Sequence, residues 1–342
     1  MSPTPLDNPA PDPTKTHVAK DLAHDRPLIC CRFDPAGRFA FAGSEDETVQ
    51  RWEIESGAKV ALKGHTSWVF ALDVTPDGQT LLSGGAEGHL IWWPAAAEAP
   101  TPARTIQAHA GWINHLAVSP DGRLVATCGN DRMVRLWSVA DGSPAGELPG
   151  HEKPIYRLLF GPGGKFLLTA DLQGRVIQWD LATLKEVRRF DAGKLYSYNG
   201  GQQVDYGGVR DLALSADGKL LGCCGLIEAS NPLGAVSNPA IVLVDWETGQ
   251  EKLLQRPKAD IKGVAWGIKF HPSGFHVIAS GGTGGGHLWF FRAGDANEFA
   301  TFALPNTARA LDIHPDGLRL ATAHHDGHLR ISSMTPAPPK SG

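Results

Sequence analysis

The chain has 342 residues, of which 42% are hydrophobic and 20% charged, so it can bury a large core and is not disordered throughout. Its 32 Lys and Arg are outnumbered by 36 Asp and Glu, and this balance argues against a broad surface for nucleic acid or anionic membranes. No apolar run approaches the roughly 20 residues that a membrane-spanning helix needs. The 40 Gly and 10 Trp instead indicate many tight turns between aromatic-rich strands, which is typical of an all-β protein.

The two ends of the chain are rich in proline and lack the pattern of a secretory signal. We expect a disordered arm over residues 1–15 and a disordered tail over residues 335–342. The five cysteines include no Cys-x-x-Cys pair, and their number is odd. We therefore expect buried free thiols and a reducing compartment, the cytoplasm. These cysteines are Cys30, Cys31, Cys128, Cys223 and Cys224.

One unit recurs seven times along the chain: an apolar run, a turn that ends in glycine, and a second apolar run. The turn glycines are Gly37, Gly78, Gly122, Gly164, Gly218, Gly274 and Gly317, spaced 41, 44, 42, 54, 56 and 43 residues apart. The positions six and four residues before each glycine are apolar in all seven copies, while the position between them is mixed. This period of two predicts a β-strand before every turn. In the third copy, two further strands follow, at residues 124–127 and 133–137, and then a fourth short strand.

Four strands in a unit of about 42 residues resemble the WD40 repeat. The dipeptides Gly64-His65, Gly150-His151 and Trp179-Asp180 match the Gly-His and Trp-Asp pairs of that family. The resemblance covers residues 16–334 and implies an all-β fold, a seven-bladed WD40-type β-propeller. The seventh unit has three strands of its own, and an extra strand lies at residues 17–22. The family closes its ring with an amino-terminal strand, so we expect this segment to complete the last blade and to remove an open sheet edge.

Four polar and aromatic residues in one repeat could be mistaken for a hydrolytic His/Ser/Asp arrangement. Its members in the third copy are His109, Thr127, Asp131 and Trp137. The family resemblance implies a structural tetrad instead, in which Asp orients His, His bonds the hydroxyl, and the hydroxyl meets the indole N–H. In the third copy alone we expect the full set. The second copy has Glu87 in place of Asp, and the fourth has Gln173 at that position.

The resemblance also implies which loops share the partner-binding face of the propeller. Three sequence columns should line this face: the positions ten and eight residues before each turn glycine, and the position just before the tetrad acid. The third column holds Glu45, Ala86, Asn130, Leu172 and His325. Aromatic residues and arginine are enriched in interface hot spots, and the columns supply Trp68, Phe70, Trp112, Tyr156, Arg210, Trp266 and Arg309. Alternatively, the tryptophans only pack against the next blade.

Two long intervals mark insertions at the fifth blade. The first spans residues 193–207 and holds three of the four tyrosines of the protein, namely Tyr196, Tyr198 and Tyr206. The second spans residues 226–239. Both should rise side by side from the partner-binding face, where Tyr with Asn, Gly and Ser suits adaptable recognition. The alternative is that they are drifted surface loops.

We therefore predict a non-catalytic scaffold, not an enzyme, that binds a protein or peptide through one face. We expect it to be a monomer with no cofactor, no bound metal, and no nucleic-acid or membrane partner. The rival interpretation is a propeller enzyme, a lactonase-like hydrolase with a metal in its channel. Its candidate ligands on the inner strands are scattered: Asp73, His115 and Asp211.

Overall fold

The computed structural model describes residues 10–231, 236–283 and 285–338. All seven turn glycines have a positive φ, between 69° and 88°, and each reverses the chain between the first and second strands of a sheet. Glycine accepts this conformation because it lacks a Cβ atom. The seven turns predicted from the sequence are therefore confirmed, and each blade contains one of them.

The described strands include seven four-stranded antiparallel sheets; in six of them the strands run in sequence from the inner to the outer edge, and in the seventh the outer strand is the first strand of the chain. The first strand of the chain is β1 (His17–Ala23). Blade one contains β2 (Leu28–Phe33), β3 (Phe39–Ser44), β4 (Thr48–Glu53) and β5 (Lys59–Lys63). Blade two contains β6 (Val69–Val74), β7 (Thr80–Gly85), β8 (His89–Pro94) and β9 (Arg104–Gln107). Blade three contains β10 (Ile113–Val118), β11 (Leu124–Gly129), β12 (Val134–Ser138) and β13 (Pro144–Leu148).

Blade four contains β14 (Ile155–Phe160), β15 (Phe166–Asp171), β16 (Arg175–Asp180) and β17 (Lys185–Asp191). A separate hairpin of β18 (Tyr196–Asn199) and β19 (Val204–Gly207) follows. Blade five contains β20 (Asp211–Leu214), β21 (Leu220–Asn231), β22 (Val236–Asp245) and β23 (Glu251–Gln255). Blade six contains β24 (Val264–Phe270), β25 (Phe275–Gly282), β26 (Gly285–Arg292) and β27 (Ala300–Leu304). Blade seven contains β28 (Ala308–Ile313), β29 (Arg319–His324) and β30 (His328–Ser333), with β1 at its outer edge. Three short 3-10 turns lie at Pro13–Lys15, Pro162–Gly164 and Gly193–Leu195.

The amino-terminal strand closes the ring, as the sequence predicts. β1 pairs antiparallel with β30, and the register places Leu22 opposite Leu329. The Asp21 carboxylate contacts the side chains of His328, at 2.6 Å, and Arg330, at 3.3 Å. Strand β1 therefore covers the edge of β30 that would otherwise be open to another chain.

The core is distributed between the blades. Seven clusters of buried apolar side chains are found in the described chain, one at each contact between neighbouring blades, including the contact of blade seven with blade one. Burial of apolar area contributes about 25 cal/mol per Å². Because each cluster needs both of its blades, the seven sheets hold one another in a closed ring.

Residues 10–15 were expected to belong to the disordered arm, but the structure places them against blade seven. The backbone N–H of Asp12 donates to the carbonyl of Met334 at 2.7 Å, and Pro13 is buried. The rest of the predicted arm, residues 1–9, and residues 339–342 of the predicted tail lie outside the described residues. No helix in the described ranges is long and apolar enough to cross a membrane.

Candidate functional site

Six of the seven inner strands carry a β-bulge near their start. In each, the register shifts so that one residue lacks a partner on the second strand. A bulge bends its strand and redirects the side chain of the extra residue. The six bulge residues belong to one predicted sequence column, and Arg210, just before β20, completes that column. We call this set the channel-mouth ring, because the residue that follows most of its members in the sequence lines the central channel. The members of the ring are Ile29, Phe70, Asn114, Tyr156, Arg210, Trp266 and Arg309.

Three of the predicted aromatic residues form one exposed stack on blades two and three. The rings of Phe70 and Trp112 are stacked with centroids 5.0 Å apart, and Trp68 meets Phe70 edge-on at 6.2 Å. Trp68 is 44% exposed and Trp112 is 46% exposed. Packing against the next blade, which was the alternative interpretation, therefore covers only part of each tryptophan, and nearly half of each residue is exposed to solvent.

Arg210 lies between two other predicted aromatic residues. Its guanidinium carbon is 4.6 Å from the centre of the Tyr156 ring and 5.2 Å from the centre of the Trp266 ring. The two rings come from blades four and six, which flank blade five. Both contacts are within the range of cation–π attraction.

The remaining ring positions connect neighbouring blades. Arg309 donates to the Glu45 carboxylate at 2.8 Å, which joins blade seven to blade one. The Asn114 side chain donates to Asn130 at 2.8 Å and to the carbonyl of Ile155 at 2.9 Å. Glu45 lies in the loop after β3, and its partnership with Arg309 could not be read from the sequence because the two residues are far apart along the chain.

The first insertion at blade five is an ordered hairpin, made of β18 and β19. The Tyr196 hydroxyl donates to one oxygen of the Asp205 carboxylate at 2.6 Å, and Lys153 approaches the other oxygen at 3.0 Å. The Tyr206 hydroxyl donates to Gln202 at 2.9 Å, whereas Tyr198 is 56% exposed. Two of the three predicted tyrosines therefore hold the hairpin in shape, and one faces solvent. Lys153 and Asp205 were not identified from the sequence as contact residues, because their opposite charges are the only feature of the sequence that links them.

The second insertion extends the hairpin of β21 and β22 beyond the end of blade five. The register places Leu226 opposite Pro239 and Ile227 opposite Asn238. Leu195, at the base of the first insertion, packs in the same buried cluster as Ile227. The two insertions therefore lie side by side, as predicted. Residues 232–235 of the second insertion are not described.

The hydrogen bonds expected in the third-blade tetrad are present. His109 contacts Asp131 at 2.9 Å and Thr127 at 2.8 Å, and the Trp137 indole N–H donates to Thr127 at 3.0 Å. Burial alone would raise the pKa of the Asp131 carboxyl, but hydrogen bonds from His109 and Arg135 outweigh it and hold that pKa below its ordinary value. The pairing of each buried polar group avoids a cost of about 1–3 kcal/mol per unsatisfied group.

The tetrads of blades two and four are complete as well, and here two expectations were wrong. In blade two, Glu87 replaces Asp without loss of the contact to His65, at 2.5 Å. In blade four, the acid is Asp171 and not a residue at position 173, because the Asp171 carboxylate contacts His151 at 2.8 Å. His151 also meets Thr169 at 2.8 Å. A full tetrad is therefore not confined to blade three.

Charged side chains from the inner strands connect neighbouring blades around the central channel. Arg32 contacts Asp73 at 3.0 Å and Asp312 at 3.3 Å. The second oxygen of Asp73 accepts from the backbone N–H of Val118, in the next blade, at 2.9 Å. Asp312 accepts in the same way from Phe33, at 2.9 Å. The channel is thus braced by carboxylates that reach from one blade to the next.

Two of the candidate ligands for a channel metal, Asp73 and Asp211, are engaged in this network, whereas the Nδ1 atom of His115 is buried without a hydrogen-bond partner. Asp211 pairs with Arg157 at 3.4 Å and accepts from the N–H of Ile268 at 3.0 Å. Burial, together with the nearby charges of Arg157, Arg32 and Lys269, holds the pKa of His115 well below its ordinary value. The hydrolase alternative needs acids and histidines that converge on a metal ion, whereas the carboxylates of Asp73, Asp211 and Asp312 are each paired with a cationic side chain of the channel. The described residues contain no group of three or more His, Cys, Asp or Glu that could hold a metal ion.

The five cysteines are buried and unpaired, as predicted. Burial raises the pKa of all five thiols, so they lie in the protonated and unreactive form.

Comparison with protein families gives a match to the family described as WD domain, G-beta repeat. The matched segments together make up more than half of the chain and cover residues 15–53, 58–94, 100–138, 142–180 and 301–331. The interval from 181 to 300 lies outside these segments and contains blades five and six, where the tetrad residues are largely lost.

Similar curated proteins match about half of this chain. The nuclear distribution protein PAC1-2 of Uncinocarpus reesii is 29% identical over 192 residues, which are 47% of this chain and 41% of that protein. Periodic tryptophan protein 2 of Arabidopsis thaliana is 26% identical over 50% of this chain and 19% of its own length. Transcription initiation factor TFIID subunit 5 of Caenorhabditis elegans is 24% identical over 49% of this chain and 26% of its own length. The chain thus spans less than half the length of these relatives.

Proposed function

Because the chain belongs to the WD40 repeat family, we propose that it is a non-catalytic scaffold that binds a protein or peptide through the face bearing the channel-mouth ring. One observation carries this proposal. Of the five exposed large hydrophobic side chains among the described residues, four lie on that face and one, Val187, lies on the outer strand of blade four. The four are Trp68, Trp112, Tyr198 and Val236.

Strand topology supports the common location of these four side chains. In an antiparallel blade, the start of the first strand, the end of the second, the start of the third and the end of the fourth share one face. Trp68 and Trp112 precede first strands, Tyr198 lies between a fourth and a first strand, and Val236 starts a third strand. Exposed apolar groups gathered on one side of a protein mark interaction surfaces. The aromatic stack of Trp68, Phe70 and Trp112 would supply the apolar centre of this interface.

The proposed location is the cytoplasm, a reducing compartment that suits five free buried thiols. We also propose that the protein is a monomer. The closure of blade seven by β1 of the same chain supports this, because it occupies the edge of β30 that a strand from a second copy could otherwise pair with.

Affinity capture with quantitative mass spectrometry tests the scaffold function. The triple variant Trp112→Ala, Trp266→Ala and Tyr198→Ala should lose the partners that the wild-type protein retains. The matched control Val187→Ala removes an exposed apolar side chain away from the proposed face and should keep them. Circular dichroism verifies that both variants are folded. Retention of every partner by the folded triple variant would refute the proposed face.

A further inference from the structure

The channel-mouth ring carries one positive charge that no carboxylate balances. Among the arginines of the ring and the channel, Arg32, Arg157 and Arg309 each have an acidic partner within 4.0 Å. Arg210 has none among the described residues. Because the other ring members are neutral or paired, the net charge of the ring is concentrated at Arg210.

The surroundings of Arg210 hold its guanidinium in place without neutralising it. The Tyr156 and Trp266 rings flank the group at 4.6 and 5.2 Å, and its Nε atom is buried without a hydrogen-bond partner. Burial lowers the pKa of Arg210, yet a guanidinium stays protonated in proteins. The unbound protein therefore keeps a partly desolvated cation at the centre of its proposed interface.

We propose that Arg210 receives the carboxylate of an Asp or Glu side chain in an extended peptide segment of the partner protein. This inference rests on the proposed scaffold function and specifies the chemistry of the ligand. Of the three guanidinium nitrogens only Nε is buried without a partner, so the edge that carries the two terminal amino groups is the side open to a ligand. That edge matches a carboxylate, which can accept two parallel hydrogen bonds.

The rest of the ring defines a second requirement on the same peptide. The Trp68, Phe70 and Trp112 stack belongs to blades two and three, whereas Arg210 belongs to blade five, across the channel mouth. A peptide that spans the mouth would place its acidic residue at Arg210 and an apolar side chain on the stack. The recognised pattern is therefore an acidic residue separated from an aromatic or aliphatic residue.

Selection from a random dodecapeptide library displayed on phage tests this pattern with purified full-length protein. The wild-type protein should enrich peptides that carry one invariant Asp or Glu and a separate apolar position. The variant Arg210→Gln should lose the acidic preference and keep the apolar one. The matched control is Arg188→Gln, because Arg188 also lies over two aromatic rings, those of Phe190 and Trp246, but on the outer strand of blade four. This control should select the same peptides as the wild type.

Binding of a selected peptide, measured by fluorescence anisotropy, then isolates the pair. Replacing the acidic residue of the peptide by its amide should weaken binding to the wild type by about tenfold or more. The same replacement should change binding to Arg210→Gln by less than about twofold. An equal loss in both proteins would overturn the assignment of the carboxylate to Arg210.

Three other outcomes are informative. Selected peptides that need Trp112 and lack an acidic position would refute the inference and leave the scaffold function standing. Failure to select any peptide that depends on Trp112 or Trp266 would refute the peptide-binding face, and the inference with it. A phosphoserine in place of the acidic residue that binds more than about tenfold tighter would overturn the carboxylate as the ligand in favour of a phosphopeptide.

Discussion

Replacing Asp171 by Ala tests the tetrad of blade four, where structure and sequence alignment point to different residues. The Asp171 side chain is fully buried. Its carboxylate accepts from His151 at 2.8 Å and from the backbone N–H groups of Gln173, at 2.9 Å, and Arg175, at 3.0 Å. The matched variant is Gln173→Ala, which removes the residue that alignment places in the tetrad. The Gln173 side chain is half-buried, and its Oε1 atom has no hydrogen-bond partner.

The two variants should differ strongly in stability. Removal of the Asp171 carboxylate leaves the buried His151 ring and two part-buried backbone N–H groups without an acceptor, at about 1–3 kcal/mol each before relaxation. Because one carboxylate serves all three donors and its neighbours can adjust, the free energy of unfolding should fall by about 3–5 kcal/mol in total. An unfolding entropy of about 2.1 cal/mol/K per residue converts this to a fall in melting temperature of about 4–7 °C for a propeller of this size. For Gln173→Ala we expect a change below about 1 °C.

Differential scanning calorimetry of the wild type and both variants, at one pH and one protein concentration, measures these shifts. Thermal scans by near-ultraviolet circular dichroism verify that the same transition is observed in all three proteins. A melting temperature of Asp171→Ala within about 1 °C of the wild type would refute the assignment of this carboxylate. So would a fall for Gln173→Ala as large as that for Asp171→Ala.

Three other predictions follow from the same contacts. Burial lowers the pKa of His276 to about 4 from 6.5, so the unfolded chain binds the proton first and stability should fall as the pH decreases from 6.5 to 4. The melting temperature of His276→Asn should decline less over this pH range, and a decline equal to that of the wild type would contradict this. Deletion of residues 1–24 removes β1 and should lower the melting temperature or cause aggregation, detected by light scattering, whereas an unchanged melting curve would argue against closure by this strand. Asp205→Asn weakens the contacts to Tyr196 and Lys153 and should speed hydrogen exchange in residues 196–207 with little effect on the global melting temperature, and unaltered exchange would show that other contacts hold the hairpin.

The local pattern of the chain determined the number of blades and the way the ring closes. Turn chemistry depends on neighbouring residues, so a glycine such as Gly122, with φ of 72°, marks its turn wherever the repeat occurs. The same alignment located the bulge residues, since Phe70 and Tyr156 stand at equal distances from their turns. It also predicted that the segment beginning at His17 pairs with blade seven, because the last unit lacks one strand of its own.

Tertiary structure decided which side chains meet at these positions. A Cβ atom built on Gly129 in blade three would lie 3.5 Å from the His109 ring, so this strand position points toward the imidazole. In blade four that position is Asp171, which reaches the histidine directly and makes an acid in the following turn unnecessary. The placement of Arg210 between two aromatic rings depends on the packing of three blades, and residues so distant in sequence carry no local signal of their contact. The geometry of turns and strands therefore recurs in every repeat of the sequence. The side-chain contacts on the proposed binding face depend instead on how residues from different repeats pack together.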